Sequence, residues 1–593
     1  MQNSPVVDSK IRIHTRPQAV LFRLKALLLQ LRRGARNLFD SEIRRYPKAD
    51  ELVGRPAIAE SKTPLWTETE PEERFLLAGK AQNLRIAVER LDGLEIPAGA
   101  TFSFWKHLGH VNRLKGYVVG RELREGCIVP NVGGGLCQLS NALYDAALEA
   151  GFEIVERHAH TKVIPGSLAE RNRDATVFWN YVDLRFRAAQ PFRIEARLGR
   201  DHLRVVFRGD RPAARPLVQI TKRTIREGPL TDHPNSCATC GVESCFRSLK
   251  PDANLDFGRT AFLLDEYAPE FDDYIQKTRA GKDWLFLPLD GRRFNRSNYA
   301  WNTGGFGRVR QSVFETILRS YRSRRLAAQG AARQKSLLAS AEKLAASYAK
   351  KLRFDVTHVV VSQNLLPYLW KSGALGGRTF DVLMTALPMT EIQRRLDAAF
   401  ERNPQSTTLG DFRAPAELLE TEREALINAR QIVTPHTEIA AVFGPRAVSI
   451  DWQRPAVKEN GRRKNGKFTV VFPAATVGRK GCYELREALR DLDVRLLTLG
   501  ATIEGADFWD GFDREAGGDD WPEKADLVVL PAYVEHRPRR LLLAAARGLP
   551  VIASKSCGVG GVAGIETIED GDAESLKTTV RRLIETGRNG RAE

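Results

Sequence analysis

The sequence predicts a multidomain chain of mixed α+β and α/β class: an α+β module followed by two Rossmann-like domains. Three observations carry that prediction. At 593 residues the chain is too long for one hydrophobic core and needs three or four domains. Its 42% apolar and 28% charged residues are the proportions of soluble globular protein. Past residue 255 the hydrophobic pattern becomes a regular alternation of strand and helix, the signature of parallel sheets covered on both faces.

Residues 1–60 read as a basic helical segment. Through Lys48 it holds eleven Lys/Arg against three Asp/Glu. Arg23 and Lys25 interrupt the apolar run Ala19 to Leu29, and Arg32-Arg33-Gly34-Ala35-Arg36 follows it where a leader would have a small-residue cleavage site. The segment therefore reads as an amphipathic helix of a cytoplasmic protein. Either it packs on its own domain, or residues 19–39 lie peripherally on anionic lipid at the inner membrane surface. No run approaches the eighteen apolar residues of a membrane span. The net charge of +18 would suit nucleic acid, but the basic residues are dispersed and no nucleic-acid motif appears. Phosphorylated or lipid-linked anions are the expected partners.

Residues 61–210 form the first module. A helix is expected over 61–100, centred on Glu73 to Leu91, with a turn at Ile96-Pro97-Ala98-Gly99-Ala100. Thr101 to Trp105 and Gly116 to Gly120 read as strands or compact loops. After Gly133-Gly134-Gly135, the residues Leu136, Leu139, Leu143 and Ala147 share one helical face,. Phe152 to Val155, Thr176 to Tyr181, Asp183 to Phe186, Phe192 to Leu198 and Leu203 to Phe207 read as strands of a mostly antiparallel sheet.

The glycine triplet puts Cys137 on the first turn of that helix, where the helix N-terminus favours a thiolate. His158 and His160 follow in a strand-like segment, and Asp174 lies sixteen and fourteen residues beyond them. Thiol catalysis needs a thiolate, an imidazole to carry its proton, and a carboxylate to fix the imidazole's tautomer. This order and the His-to-Asp spacing are similar to transglutaminase-like and papain-like cysteine enzymes. Two other readings stay open: a binding pocket without covalent chemistry, and a tight backbone crossing with a buried Cys137 and a His158 satisfied by Glu156 or Asp174. Of the two histidines, His158 is the preferred partner.

Six blocks occur in order: Asn83-Leu84-Arg85-Ile86-Ala87, Phe102-Ser103-Phe104-Trp105, Lys115-Gly116-Tyr117, Gly133 to Ser140, Glu156-Arg157-His158 and Asp183-Leu184-Arg185-Phe186. Together they resemble the VanW family over about residues 65–210. The preference for His158 rests on this likeness. The family is named for an accessory of vancomycin resistance, so the resemblance implies association with the cell envelope and its peptidoglycan. It supplies no established reaction.

Residues 211–255 are a cysteine-rich connector. His233, Cys237, Cys240 and Cys245 are separated by three, two and four residues. Two thiolates two residues apart can chelate one tetrahedral ion, and a third cysteine with a histidine completes four ligands. The histidine favours zinc over an iron–sulfur cluster. Unliganded thiols on a loop are the alternative.

Residues 256–457 and 458–593 are the two Rossmann-like domains, divided at the charged linker Lys458 to Lys467. In the second, Gly478-Arg479-Lys480-Gly481 follows the strand Phe468 to Phe472 and opens a helix, a place for cations and free N–H groups to hold a diphosphate. Pro531-Ala532-Tyr533-Val534-Glu535 and Ala544 to Ser554 resemble the donor half of GT-B glycosyltransferases. In that family two glutamates eight positions apart contact the nucleotide-sugar. The first matches Glu535; the second falls at Leu543, which cannot accept a hydrogen bond. The resemblance implies sugar transfer from a nucleotide-sugar to an envelope glycan or lipid-linked precursor, with Arg479 and Lys480 neutralising the diphosphate and Glu535 orienting the donor. A Cys137-dependent acyl or peptidyl enzyme and a non-catalytic scaffold for envelope precursors are the other readings.

Overall fold

A computed structural model describes residues 16–38, 40, 42–67, 71–124, 127–160, 166–210, 235–237, 245, 258–326, 330–456 and 467–592. The chain divides into two compact units. The first runs to Arg259 and takes in 352–357 and 373–379; the second holds the remainder.

The first unit opens with α1 (Arg16–Leu38), followed by β1 (Ala57–Pro64), α2 (Pro71–Leu91), β2 (Leu94–Ile96) and β3 (Thr101–Ser103). Then come α3 (Phe104–Leu108), β4 (Val119–Arg124), β5 (Cys127–Val132), α4 (Cys137–Glu149) and β6 (Glu153–Glu156). β7 (Arg185–Arg187), β8 (Phe192–Leu198), β9 (His202–Gly209) and β10 (Asn235–Ser236) complete it. Its strands form three small sheets rather than one: β1-β9-β8-β2, β10-β5-β4 and β3-β7-β6. The core gathers Leu84, Leu91, Phe102, Phe104, Leu139, Leu143, Phe186 and Phe207.

Two sequence expectations fail here for local reasons. The helix expected from residue 61 begins at Pro71, because Ala57–Pro64 alternates inward and outward side chains and pairs antiparallel with β9. Thr176 to Tyr181 is not a strand. Its backbone is held elsewhere: the Thr176 amide donates to the His158 carbonyl at 2.7 Å, and Asn180 sits in the left-handed region at φ 49°.

α1 is fastened to this unit from one side. Arg33 pairs with Glu156 at 2.5 Å, Arg185 donates to Asn37 at 3.0 Å, and Asn180 donates to the Gln30 carbonyl at 2.8 Å. Its other side leaves Val20, Leu21, Leu24, Leu27, Leu28 and Leu31 exposed. Among the described residues no helix is long and apolar enough to cross a membrane.

The second unit contains two parallel sheets, the feature expected from the strand–helix alternation. The first uses β11 (Arg259–Leu263), β12 (Trp284–Leu287), β13 (Arg308–Gln311), β14 (Val356–Ser362), β15 (Thr379–Leu383), β16 (Gln431–Thr434) and β17 (Ala447–Ser449). The second uses β18 (Thr469–Phe472), β19 (Arg495–Thr498), β20 (Asp513–Ala516), β21 (Leu527–Leu530), β22 (Val551–Ser554) and β23 (Ile565–Ile568). Their orders are β13-β12-β11-β14-β15-β16-β17 and β20-β19-β18-β21-β22-β23. The second is a 3-2-1-4-5-6 Rossmann order and the first the same order with a seventh strand added at its end; in each the topological switch point lies between the first and fourth strands. Those points fall at β11/β14 and β18/β21. The central strands are apolar on both faces, as with the fully buried Thr469–Phe472 and Leu527–Leu530.

Candidate functional sites

The glycine triplet is built for close approach. Gly133 and Gly135 have φ of 80° and 99°, and a Cβ on Gly134 would lie 2.5 Å from the Gly120 backbone. Asn83 clamps the turn by donating to the carbonyls of Val118 (3.0 Å) and Gly134 (2.9 Å) while accepting from the Val118 amide at 2.8 Å. α4 starts at Cys137 directly after it. The amides of its first turn bond back to the turn before it: Gln138 to the Gly135 carbonyl at 3.1 Å, and Leu139 and Ser140 to that of Leu136 at 3.0 and 3.2 Å.

α4 also sets the segment that carries Asp174. Ser140 donates to the Ala175 carbonyl at 2.6 Å, and Asn141 accepts from the Ala175 amide at 2.8 Å. The fully buried Asp174 accepts from the His160 amide and faces His160 Nδ1, both at 2.7 Å. Arg157 holds its other oxygen at 2.9 Å and its carbonyl at 2.7 Å, with the guanidinium over the Tyr144 ring. The Cys137 thiol donates to the Val177 carbonyl at 3.9 Å and sits beside His160, whose pKa it helps to raise. Since Nδ1 serves Asp174, Nε2 is the nitrogen left for sulfur. Burial would lower the His160 pKa, but Asp174 and the neighbouring Cys137 outweigh it and raise the pKa to about 9.

The structure thus brings Cys137, His160 and Asp174 together and leaves His158 out. His158 is 40% exposed and lies 3.7 Å from Glu156, whereas His160 is 13% exposed. On a regular strand residues two apart would share a face; past Glu156 the chain leaves the strand, and of the two histidines it is His160 that meets Asp174. Neither histidine lies on a strand, since β6 ends at Glu156.

The charged residues of the remaining blocks serve the scaffold. Burial works to raise the Glu156 pKa, but hydrogen bonds from His158 and Arg33 lower it to about 2. Asp183 accepts from Ser103 at 2.6 Å, Arg185 at 2.9 Å and the Trp105 amide at 3.1 Å. Beside them a cavity of about 180 Å³ is lined by Arg33, Arg45, Lys106, Trp105, Trp179 and Asp183, among others.

In the connector, His233 and Cys240 lie outside the described residues. Cys237 is buried, its amide donating to the Ile128 carbonyl at 2.9 Å, and Cys245 is half-buried. Among the described residues no three His, Cys, Asp or Glu side chains gather as a metal site.

The turn after β18 differs from its expected form. The Gly478 amide donates to Glu504 at 2.7 Å and to Thr408 at 2.8 Å, while those of Lys480 and Gly481 bond back to Val477 and Gly478, both at 2.9 Å. Glu504, which no sequence motif announced, occupies the anion position itself. It also accepts from Ser406 (2.8 Å), the Thr407 amide (3.1 Å) and Tyr483 (2.9 Å). Three of the four amides of Gly478 to Gly481, expected to cradle a diphosphate, are thus already bonded.

The side chains at this switch point stand differently. Lys480 bonds Glu535 at 2.8 Å and the Val534 carbonyl at 2.7 Å, while Arg479 is buried with its guanidinium over Phe412. The adjacent His536 has a buried Nδ1 without a hydrogen-bond partner. Its pKa is lowered to about 3, by burial first and by Lys480 next, so the ring is neutral. Leu543 packs against the core of its lobe.

The two switch points face each other within this unit. Arg537 reaches Glu266 at 2.6 Å and Arg539 reaches Glu270 at 2.5 Å. Glu266 follows β11 and the buried Asp265, which pairs with Arg319 at 2.6 Å.

The chain therefore joins an α+β domain to a unit of two Rossmann-like lobes. Residues 79–208 match the family model described as VanW like protein. Over 120 residues the chain is 35% identical to the uncharacterised protein YoaR of Bacillus subtilis, covering 20% of this chain and 39% of that one. Over 111 residues it is 34% identical to the vancomycin B-type resistance protein VanW of Enterococcus faecalis, covering 18% and 40%. The chain thus spans about two-fifths of the length of these relatives. Among solved structures, sucrose-phosphate synthase from Thermosynechococcus elongatus is similar at 14% identity and a TM-score of 0.33, covering 56% of this chain and 93% of that one.

Proposed function

We propose that the chain works on cell-envelope glycan, and that its two-lobed unit transfers a sugar from a nucleotide-sugar to an envelope glycan or lipid-linked acceptor. The supporting observation is the pair of facing switch points, the place where open α/β sheets bind ligands. Lys480 supplies positive charge for a leaving diphosphate, and Glu535 takes the hydroxyls of the donor. The unpartnered Nδ1 of the neutral His536 offers a further hydrogen bond, since a buried polar atom is rarely left unpaired. Because the turn's own amides are occupied, side chains carry the recognition in this reading. The envelope association rests on the VanW-like domain, whose Enterococcus relative is named for vancomycin resistance. The lipid acceptor fits the exposed apolar stripe of α1, which Lys25, Arg32 and Arg36 flank.

Titration of the full chain with UDP and a panel of nucleotide-sugars, by calorimetry and melting, tests this. One donor is expected to raise the melting temperature, and Lys480→Ala to weaken its binding at least tenfold. Absence of binding by every donor, or binding unchanged in Lys480→Ala, would sink the assignment.

A further inference from the structure

We propose that Cys137, His160 and Asp174 form a thiol acyl-transfer site in the VanW-like domain, distinct from the sugar-transfer unit, with an amide- or ester-linked acyl group as its substrate. Three features of the geometry support it. The thiol is half-buried at the start of a 13-residue helix, behind a glycine turn that Asn83 holds rigid. His160 bridges that thiol to a fully buried carboxylate. Arg157 bonds the carboxylate's other oxygen at 2.9 Å, so Asp174 remains an anion without needing the imidazole proton. Among the described residues the charged groups around the pair are Asp174, Arg157 and the buried Lys80, whose stem packs on Gly135; Glu156 and His158 form a separate group.

The chemistry follows from the arrangement. Proton transfer from sulfur to His160 Nε2 gives a thiolate and an imidazolium, the latter favoured by Asp174 on Nδ1. Sulfur attacks the acyl carbonyl carbon, and the carbonyl π electrons move to oxygen to give a tetrahedral intermediate. The bond from carbon to the leaving amine or alcohol breaks as that group takes the proton from His160. A thioester on Cys137 results. Water or an acceptor amine then gives a proton to His160 and attacks the thioester, and the C–S bond breaks to restore the thiolate. Cys137 is the nucleophile, His160 the acid and base, and Asp174 a positioning residue.

Iodoacetamide alkylation of the full-length protein, quantified at Cys137 by peptide mass spectrometry across pH 5–10, provides the test. The wild-type rate at pH 7 is expected to be at least tenfold above that of the same protein in denaturant. It should fall at least tenfold at pH 7 in His160→Ala and stay within twofold in His158→Ala. Asp174→Asn should lower the rate at pH 7 while leaving that at pH 10 unchanged, a change that looser packing alone would not make. 4-Nitrophenyl acetate should leave one acetyl group on Cys137 of the wild type. A wild-type rate at pH 7 no higher than in denaturant, or equal rates in wild type and a folded His160→Ala, would overturn the proposal. Should His160→Ala fail to fold, His160→Gln takes its place and the Asp174→Asn profile decides.

Discussion

Replacing Asp174 by Asn isolates the electrostatic part of the thiol site. A His160 pKa held at about 9 against an ordinary 6.5 corresponds to about 3 kcal/mol of native-state stability. Below pH 6.5 folded and unfolded chains both carry the imidazolium, so the whole contribution is present. As pH rises the unfolded chain loses the proton first, and the contribution shrinks until it vanishes above pH 9. In Asp174→Asn the anion is gone and only Cys137 still favours the imidazolium against burial, so the His160 pKa falls. Arg157 loses its ionic partner too, at a cost of about 1–3 kcal/mol, but arginine stays charged throughout this range and that loss is constant with pH. The difference between wild type and variant should therefore be largest near pH 6 and fall by about 3 kcal/mol by pH 9.5. Pulse proteolysis in urea, scored on peptides from Leu139 to Glu149, reads the stability of this unit separately from the other. A difference that stays constant between pH 6 and 9.5 would refute the claim that Asp174 holds a proton on His160.

Glu504→Ala should destabilise the two-lobed unit by about 2–4 kcal/mol, because Gly478, Ser406 and Tyr483 lose their shared acceptor. A melting curve that matches wild type would show these donors to be satisfied otherwise. Leu24→Glu combined with Leu28→Glu should abolish co-sedimentation with vesicles containing anionic lipid while leaving the melting temperature unchanged, since both leucines are exposed. Equal sedimentation of wild type and variant would remove α1 as the lipid contact.

The outlines of both units were legible because they rest on periodicity. The helix opening at Cys137 follows from a glycine turn and apolar residues three and four apart, and the parallel sheets from buried runs separated by helices. What stayed hidden depends on contacts between distant segments. Choosing His160 over His158 requires knowing which side of the chain meets Asp174, and spacing alone treats both alike. The irregular path from Thr176 to Tyr181 has a strand's composition. Its start, however, is tied to the His158 carbonyl, and Ala175 just before it to the helix side chains Ser140 and Asn141; none of these is visible from within the segment. Glu504 lies in a loop beyond β19, 26 residues from Gly478, so no local motif could reveal it.

Cys137 and Gly478 open on the same local signal, a glycine turn feeding a helix, yet the chain finishes the two turns differently. At Gly478 a buried carboxylate from another loop fills the anion position, so the turn is satisfied from within. Around Cys137 the nearby buried carboxylate, Asp174, is drawn away by Arg157 and His160. The amides that open α4 are no freer than those at Gly478: Gln138 bonds back to Gly135 and Leu139 to Leu136, as Lys480 does to Val477 and Gly481 to Gly478. What separates the two turns is where the nearest buried carboxylate is tied. In the two proposed sites, one turn then leaves its thiol beside His160, while the other leaves recognition to the side chains of Lys480, Glu535 and His536.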